Sequence, residues 1–187
     1  KSALTAGIPE DALQMIPITD RVAILELLKK DRYVDLVVAR GGEEFIHTVV
    51  EHSRIPVIKH DKGLCHTYIA AEVDLGIAAQ VAFNAKVQRP SVCNATETLL
   101  VHRDVAVGFL PGFCDQLKAA GVEVRGCPET SNIVPWAVAA TEADWDTEYL
   151  DLILSVKVVG SLDDAIDHIA RHGSKLSESI ITTNYQK

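Results

Sequence analysis

Methionine is nearly absent from this sequence: Met15 is the only one in 187 residues. Aromatic residues make up 5% of the chain, so Ala, Val, Ile and Leu carry the apolar content and the core must be aliphatic. No block of basic residues occurs, and 26 acidic side chains outnumber 18 basic ones for a formal net charge of −8, which argues against a nucleic-acid partner. Long apolar runs are missing as well. The longest uncharged stretch, residues 130–141, contains Ser, Asn and Pro and is too short to cross a bilayer. The chain does not open on a basic segment followed by an apolar one, the mark of a secretory signal. Cysteines are few: Cys65, Cys93, Cys114 and Cys127 form no C-x-x-C pair and no zinc-finger rhythm. A disulfide framework or a metal site is therefore not expected. The expectation is a soluble protein of a reducing compartment, the cytoplasm, without membrane or nucleic-acid partners.

What remains is 48% hydrophobic and 24% charged, enough for a sizeable core. Alternating strand and helix patterns predict an α/β fold. Strands are expected over residues 12–18, 34–39 and 55–58, with helices over 21–30, capped by Thr19-Asp20, and 43–52. That β-α-β-α-β order has the shape of half a doubly wound nucleotide domain. The pattern changes near residues 61–63, and a boundary is placed there: residues 1–62, then 63–187. In the second part strands are expected over 66–70, 96–102, 122–125, 149–159 and 179–183. Helices are expected from Asp74 to about 88, from Asp104 to about 120, and over 162–171, with 127–135 as a loop. Residues 1–7 read as the end of a helix already running, stopped by Gly7, and the final strand is followed by four residues; a partial chain is expected.

Cys93 lies where a helix ends, a Pro-marked loop intervenes and a strand begins. An exposed thiol near backbone N–H groups and Arg89 is a candidate nucleophile; a small buried apolar residue is the alternative. Cys114, between Phe113 and Leu117, reads as core. The apolar run ending at Ala39 passes through Arg40-Gly41-Gly42 into a helix, a layout that lets backbone approach a phosphate, or simply a tight turn. The acidic residues between 146 and 151, Glu148 among them, precede a buried strand and could accept hydrogen bonds from a ribose, although carboxylates of a solvated loop are the commoner case. Of the seven histidines, His60 and His66 flank the junction, where clefts form.

Several segments together resemble γ-glutamyl phosphate reductase, also called glutamate-5-semialdehyde dehydrogenase, of the aldehyde dehydrogenase superfamily. They are Ile55-Pro56-Val57-Ile58, Gly63-Leu64-Cys65-His66, Asn84-Ala85-Lys86, Gln88-Arg89-Pro90-Ser91-Val92-Cys93-Asn94, Glu97-Thr98-Leu99-Leu100-Val101, Glu148-Tyr149-Leu150-Asp151 and His172-Gly173-Ser174. The resemblance covers essentially the whole chain. It implies an aldehyde dehydrogenase-like fold, with residues 1–62 as the C-terminal part of the NADP-binding domain and 63–187 as the cysteine-bearing catalytic domain. It implies NADPH-dependent reduction of L-glutamyl 5-phosphate to glutamate 5-semialdehyde in proline biosynthesis, through a thioester on Cys93. Arg40, Gly41 and Gly42 would hold the cofactor pyrophosphate, Glu148 the nicotinamide ribose, and Arg89 and Asn94 the substrate. The N–H of Cys93 would help hold the oxyanion. General aldehyde dehydrogenases carry a base glutamate before a Gly-Gly turn; residues 59–63 here carry none, leaving His60 and Asp61 as candidates, and a phosphate leaving group needs no such base. Leu176 stands where the family commonly has histidine. A homo-oligomer acting on a small molecule is implied. The reductase half of a bifunctional pyrroline-5-carboxylate synthase, or a non-catalytic nucleotide-binding domain, shares the pattern.

Overall fold

A computed structural model of the chain describes residues 5–59 and 62–186, which form two compact units, Lys1–Asp61 and Lys62–Lys187. In the first unit, Asp20 accepts the Val22 N–H at 2.9 Å and starts helix α1, Val22–Leu27. Strand β1, Val37–Val38, leads through Gly41-Gly42 into helix α2, Glu43–His52, with Gly42 as its N-terminal residue. Ser53 then closes a turn by donating to the Ile55 carbonyl at 2.7 Å and accepting its N–H at 3.1 Å. This aims strand β2, Val57–Ile58, parallel to β1. Leu28, Ala39, Ile46 and Val49 form the core of the unit.

Two strand expectations fail in this unit. Residues 12–18 form no strand: a 3-10 turn, Glu10–Ala12, is followed by extended chain, and Leu13 and Met15 are 86% and 88% exposed. An apolar run becomes a strand only where another strand accepts its hydrogen bonds, and none does among the described residues. For the same reason the run at 34–39 pairs only over β1. Of the helix end expected at residues 1–7, positions 1–4 lie outside the described residues, while Gly7 adopts the left-handed φ of +76° suited to a helix stop.

The second unit is built on six parallel strands: β3 (Cys65–Ile69), β4 (Thr96–His102), β5 (Glu123–Gly126), β6 (Val138–Ala139), β7 (Ile153–Val159) and β8 (Glu178–Ile181). Their order is β6-β5-β7-β4-β3-β8. Side chains alternate across the central strands. Leu99, Val101, Leu154 and Val156 face helices α3 (Leu75–Val87), α4 (Arg103–Ala119) and α5 (Pro128–Ile133), joining Ala78, Ala82, Phe109, Leu110, Phe113 and Leu117 in the main core. Leu100, Tyr68, Ala70 and Val159 pack on the other face with Ala165 of helix α6, Leu162–His172. A sheet covered on both faces explains why β3 and β4 are buried along nearly their whole length, polar residues included.

Local chemistry sets the boundaries. Asp74 caps α3 by accepting the Ile77 N–H at 2.9 Å. The cap of α4 is His102, whose Nδ1 accepts the Asp104 N–H at 3.2 Å, rather than Asp104 itself. Residues 127–135, expected as a loop, contain α5, because Cys127 Sγ accepts the Thr130 N–H and Pro128 suits a first helical position. Strand β7 starts at Ile153 rather than 149, because Leu150 takes a φ of +54° and breaks the extended run.

Candidate active site

Because every strand of the second unit runs the same way, the segments preceding β3, β4 and β7 meet at one edge of the sheet, its amino edge. Open α/β sheets more often bind ligands at the carboxyl edge. Here Gly63, Cys93 and Glu148 come together. A Cβ atom on Gly63 would stand 2.2 Å from the Cys93 carbonyl oxygen and 2.7 Å from Glu148 Oε1. Only glycine allows this approach.

The Cys93 loop is a pair of tight turns, with Val92 N–H donating to the Arg89 carbonyl at 3.4 Å and Ala95 N–H to the Val92 carbonyl at 3.0 Å. Ala95 is buried and anchors the loop, Cys93 is half-buried, and Arg89 and Asn94 are exposed. The N–H groups of Cys93 and Asn94 donate to no acceptor among the described residues. Beneath the loop, the buried Cys65 thiol donates to the Cys93 carbonyl at 3.5 Å. Burial, and next the Glu178 carboxylate, push the Cys65 thiol up to about 11, so it stays protonated and can donate. All four cysteines are free. Cys114 is fully buried and is pushed up to about 12 by burial, as a core thiol should be.

Glu148 is half-buried, and its carboxylate makes no hydrogen bond among the described residues. The residues after it are firmly held. Tyr149 donates its hydroxyl to Asp144 Oδ1 at 2.8 Å and lies 2.8 Å from Ser155 Oγ; burial pushes its pKa up to about 12. Burial works against the Asp144 charge, yet the Thr141 N–H, Arg125 and the Thr141 and Tyr149 hydroxyls together hold its carboxyl well below the usual range. Leu150 N–H donates to Glu97 Oε1 at 3.1 Å. The other Glu97 oxygen receives Lys86 Nζ at 2.7 Å, in a pair whose side chains are 1% and 0% exposed. The strand on the outer side of β3 is tied in by Glu178, whose Oε2 accepts the His66 backbone N–H at 2.7 Å and the His66 ring N–H at 3.1 Å. Ser174 Oγ accepts the Leu64 N–H at 2.9 Å.

In the first unit, Arg40, Gly41 and Gly42 are exposed. A Cβ on Gly41 would strike the Phe45 ring at 2.5 Å, whereas Gly42 faces open space. No side chain caps α2, so its first N–H groups stay open. Beside them a cleft of about 430 Å³ runs between Val22, Ile24 and Leu25 of α1 and Phe45, Thr48 and Val49 of α2.

No protein-family model matches the chain. Curated relatives do. The γ-glutamyl phosphate reductase of Moorella thermoacetica is 54% identical over 186 residues, all of this chain and 44% of the relative. The crystal structure of the Thermotoga maritima γ-glutamyl phosphate reductase superposes with a TM-score of 0.92 at 46% identity, covering 99% of this chain and 45% of that one. Along its whole length this chain is a homologue of γ-glutamyl phosphate reductase. It spans somewhat under half the length of these relatives. The wider fold is aldehyde dehydrogenase-like: succinic semialdehyde dehydrogenase from Streptococcus pyogenes, solved with NADP+ as cofactor, matches over 98% of this chain and 50% of its own, with a TM-score of 0.74 at 14% identity.

Against the reductase pattern, the sequence-derived residues divide into two groups. Cys93, Asn94, Arg89 and Glu148 belong to the second unit, where Cys93 and Glu148 both border Gly63; Arg40, Gly41 and Gly42 belong to the first. His60 and Asp61 lie outside the described residues. Leu176 sits half-buried in the turn before β8, next to Lys175 with a φ of +63°. Sequence reasoning missed the roles of Gly63, Cys65, Lys86 and Glu97. Gly63 and Cys65 stood in a quoted family segment, but only the folded strand ends show what they touch. The buried His66, His168 and Trp145 rings and the half-buried His172 ring form one cluster. Lys157 donates to His168 Nδ1 at 3.1 Å.

Proposed function

We propose that the full-length protein reduces L-glutamyl 5-phosphate to L-glutamate 5-semialdehyde with release of phosphate, and that NADP(H) is its cofactor. The observation that carries this reading is the convergence of Cys93 and Glu148 on Gly63, on a chain 54% identical to a reductase of that name. The Cys93 thiolate attacks the acyl carbon of the substrate, the C–O bond to phosphate breaks, phosphate leaves, and a thioester forms. The open N–H groups of Cys93 and Asn94 are suited to hold the oxygen that gains charge in this step. Arg89 and the Asn94 side chain, both exposed in the loop that carries Cys93, would bind the substrate. A bound nicotinamide dinucleotide supplies the hydride that brings the thioester to the aldehyde level. The C–S bond then breaks, restoring the thiolate.

The residues fit that cofactor. In the first unit the open helix start at Gly42 and the Arg40 cation suit a pyrophosphate, and the apolar cleft between α1 and α2 suits a flat base. Glu148, with its carboxylate free of hydrogen bonds among the described residues, suits a ribose. Residues 1–62 then act in cofactor binding, and 63–187 carry the chemistry together with the ribose contact, within a cytoplasmic homo-oligomer.

The test is NADPH formation from glutamate 5-semialdehyde, phosphate and NADP+ by the full-length protein. Phosphate-dependent formation that falls by at least about 10³-fold in Cys93→Ala is expected. Formation that ignores phosphate, or survives without Cys93, overturns the proposal.

A further inference from the structure

The least economical feature of the second unit is the Lys86–Glu97 pair. Both charges lie out of water between α3 and β4, and burial presses each toward neutrality while the partner opposes it. A buried ion pair is weak evidence for stability, because well-packed apolar residues often serve as well or better. An apolar pair, however, cannot do what Glu97 does with its second oxygen. That oxygen accepts the N–H of Leu150, a residue held at a φ of +54°. A β-unbranched residue in the left-handed region costs on the order of 1 kcal/mol and persists only where its surroundings hold it. Glu148 lies two residues before this anchor, and nothing among the described residues hydrogen-bonds its carboxylate. The Tyr149 ring between them has Arg125 5.1 Å and Lys86 Nζ 6.0 Å from its centroid.

We infer that Lys86 and Glu97 are positioning residues for Glu148: Lys86 fixes the Glu97 carboxylate, Glu97 fixes the Leu150 N–H, and the left-handed turn this creates presents the Glu148 carboxylate beside Gly63. The functional side of this inference rests on the reading of Glu148 as a cofactor ribose contact. The chain thereby devotes a buried charge pair to the placement of a cofactor group and not to the reactivity of the Cys93 thiol.

Two double variants of the full-length protein separate the roles. Lys86→Met with Glu97→Gln removes the ion pair but keeps an acceptor for Leu150 N–H. Lys86→Met with Glu97→Leu removes both. Melting temperature is measured for each, along with amide hydrogen exchange over residues 148–151, NADPH affinity by fluorescence, and the rate of Cys93 alkylation. The acceptor-keeping variant, which lacks Lys86 to fix its acceptor, is expected to show about threefold faster local exchange and about threefold weaker affinity than wild type. The apolar variant is expected to exchange at least about tenfold faster at 148–151 and to bind NADPH about tenfold more weakly, with alkylation unchanged. Equal local exchange in the two variants overturns the inference. Glu148→Gln is measured alongside. If it leaves NADPH affinity unchanged, the ribose reading fails, and the exchange data still decide whether the pair holds the turn.

Discussion

Gly63→Ala places one methyl group where three atoms already stand: the Cys93 carbonyl oxygen at 2.2 Å, the Glu148 Oε1 at 2.7 Å and the Cys93 carbonyl carbon at 2.9 Å. Two of these are backbone. They cannot swing aside as a lysine tip would, and the carbonyl oxygen is also the acceptor for the Cys65 thiol. To reach an ordinary contact beyond about 3 Å, the Cys93 loop must retreat by about 1 Å. Overpacking of this kind costs about 2–3 kcal/mol, or roughly 4–12 °C in melting temperature for a domain of this size. Displacing the nucleophile by the same distance is expected to lower kcat/KM by about 10²-fold. The control is Gly108→Ala, on the exposed face of α4 with nothing within 4 Å of the added atom; removing a helical glycine there should stabilise by about 0.5–1 kcal/mol. Melting curves and steady-state phosphate-dependent NADPH formation read both variants. A Gly63→Ala protein with wild-type melting temperature and kcat/KM would refute the reasoning, since it would mean that the loop and the glycine are not in contact.

Two further outcomes follow from burial. Burial, and next the Lys157 cation, hold His168 down to about 3, so between that value and the ordinary histidine value of about 6.5 the unfolded chain binds the extra proton. Stability therefore rises with pH through this window and is lost as pH falls below about 6.5, by up to about 1.4 kcal/mol per unit from this group; urea unfolding at pH 7.5 and 5.5 should show a smaller drop in His168→Leu than in wild type, and an identical drop in both contradicts the assignment. Cys93 is half-buried while Cys65, Cys114 and Cys127 are buried, so brief treatment of the native protein with iodoacetamide should label Cys93 first among these four, by peptide mass spectrometry; earlier labelling of Cys65 would contradict the packing.

The second unit was largely legible because its signals were local. Thr96–His102 is a β-branched and aliphatic run between a Pro-marked loop and a helix, and its bounds could be read directly. Helix α3 announces itself through its Asp74 cap. The first unit was harder, because residues 12–18 have strand composition but no pairing partner among the described residues, and composition cannot supply one. Of the site, Cys93 and Glu148 could be nominated, since a polar loop and an acidic strand entry are visible in one dimension. Their common neighbour Gly63 could not: it meets them only through the order of the strands. Nor could Lys86 and Glu97, whose pairing depends on how α3 rolls against β4.

Strand order has a consequence for how the protein is made. β3 lies between β4 and β8, and β8 is the last of the described strands in chain order. The hydrogen bond from Leu64 to Ser174 spans 110 residues, and that from His66 to Glu178 spans 112. At the ordinary pace of a ribosome, about 5–20 residues per second, one flank of β3 stays without its partner for roughly 5–20 seconds after it is synthesised. During that interval β3 offers a free row of N–H and C=O groups, the kind of edge on which chains aggregate. The nascent chain therefore passes through a vulnerable stage, which ends only when Glu178 arrives to cap His66.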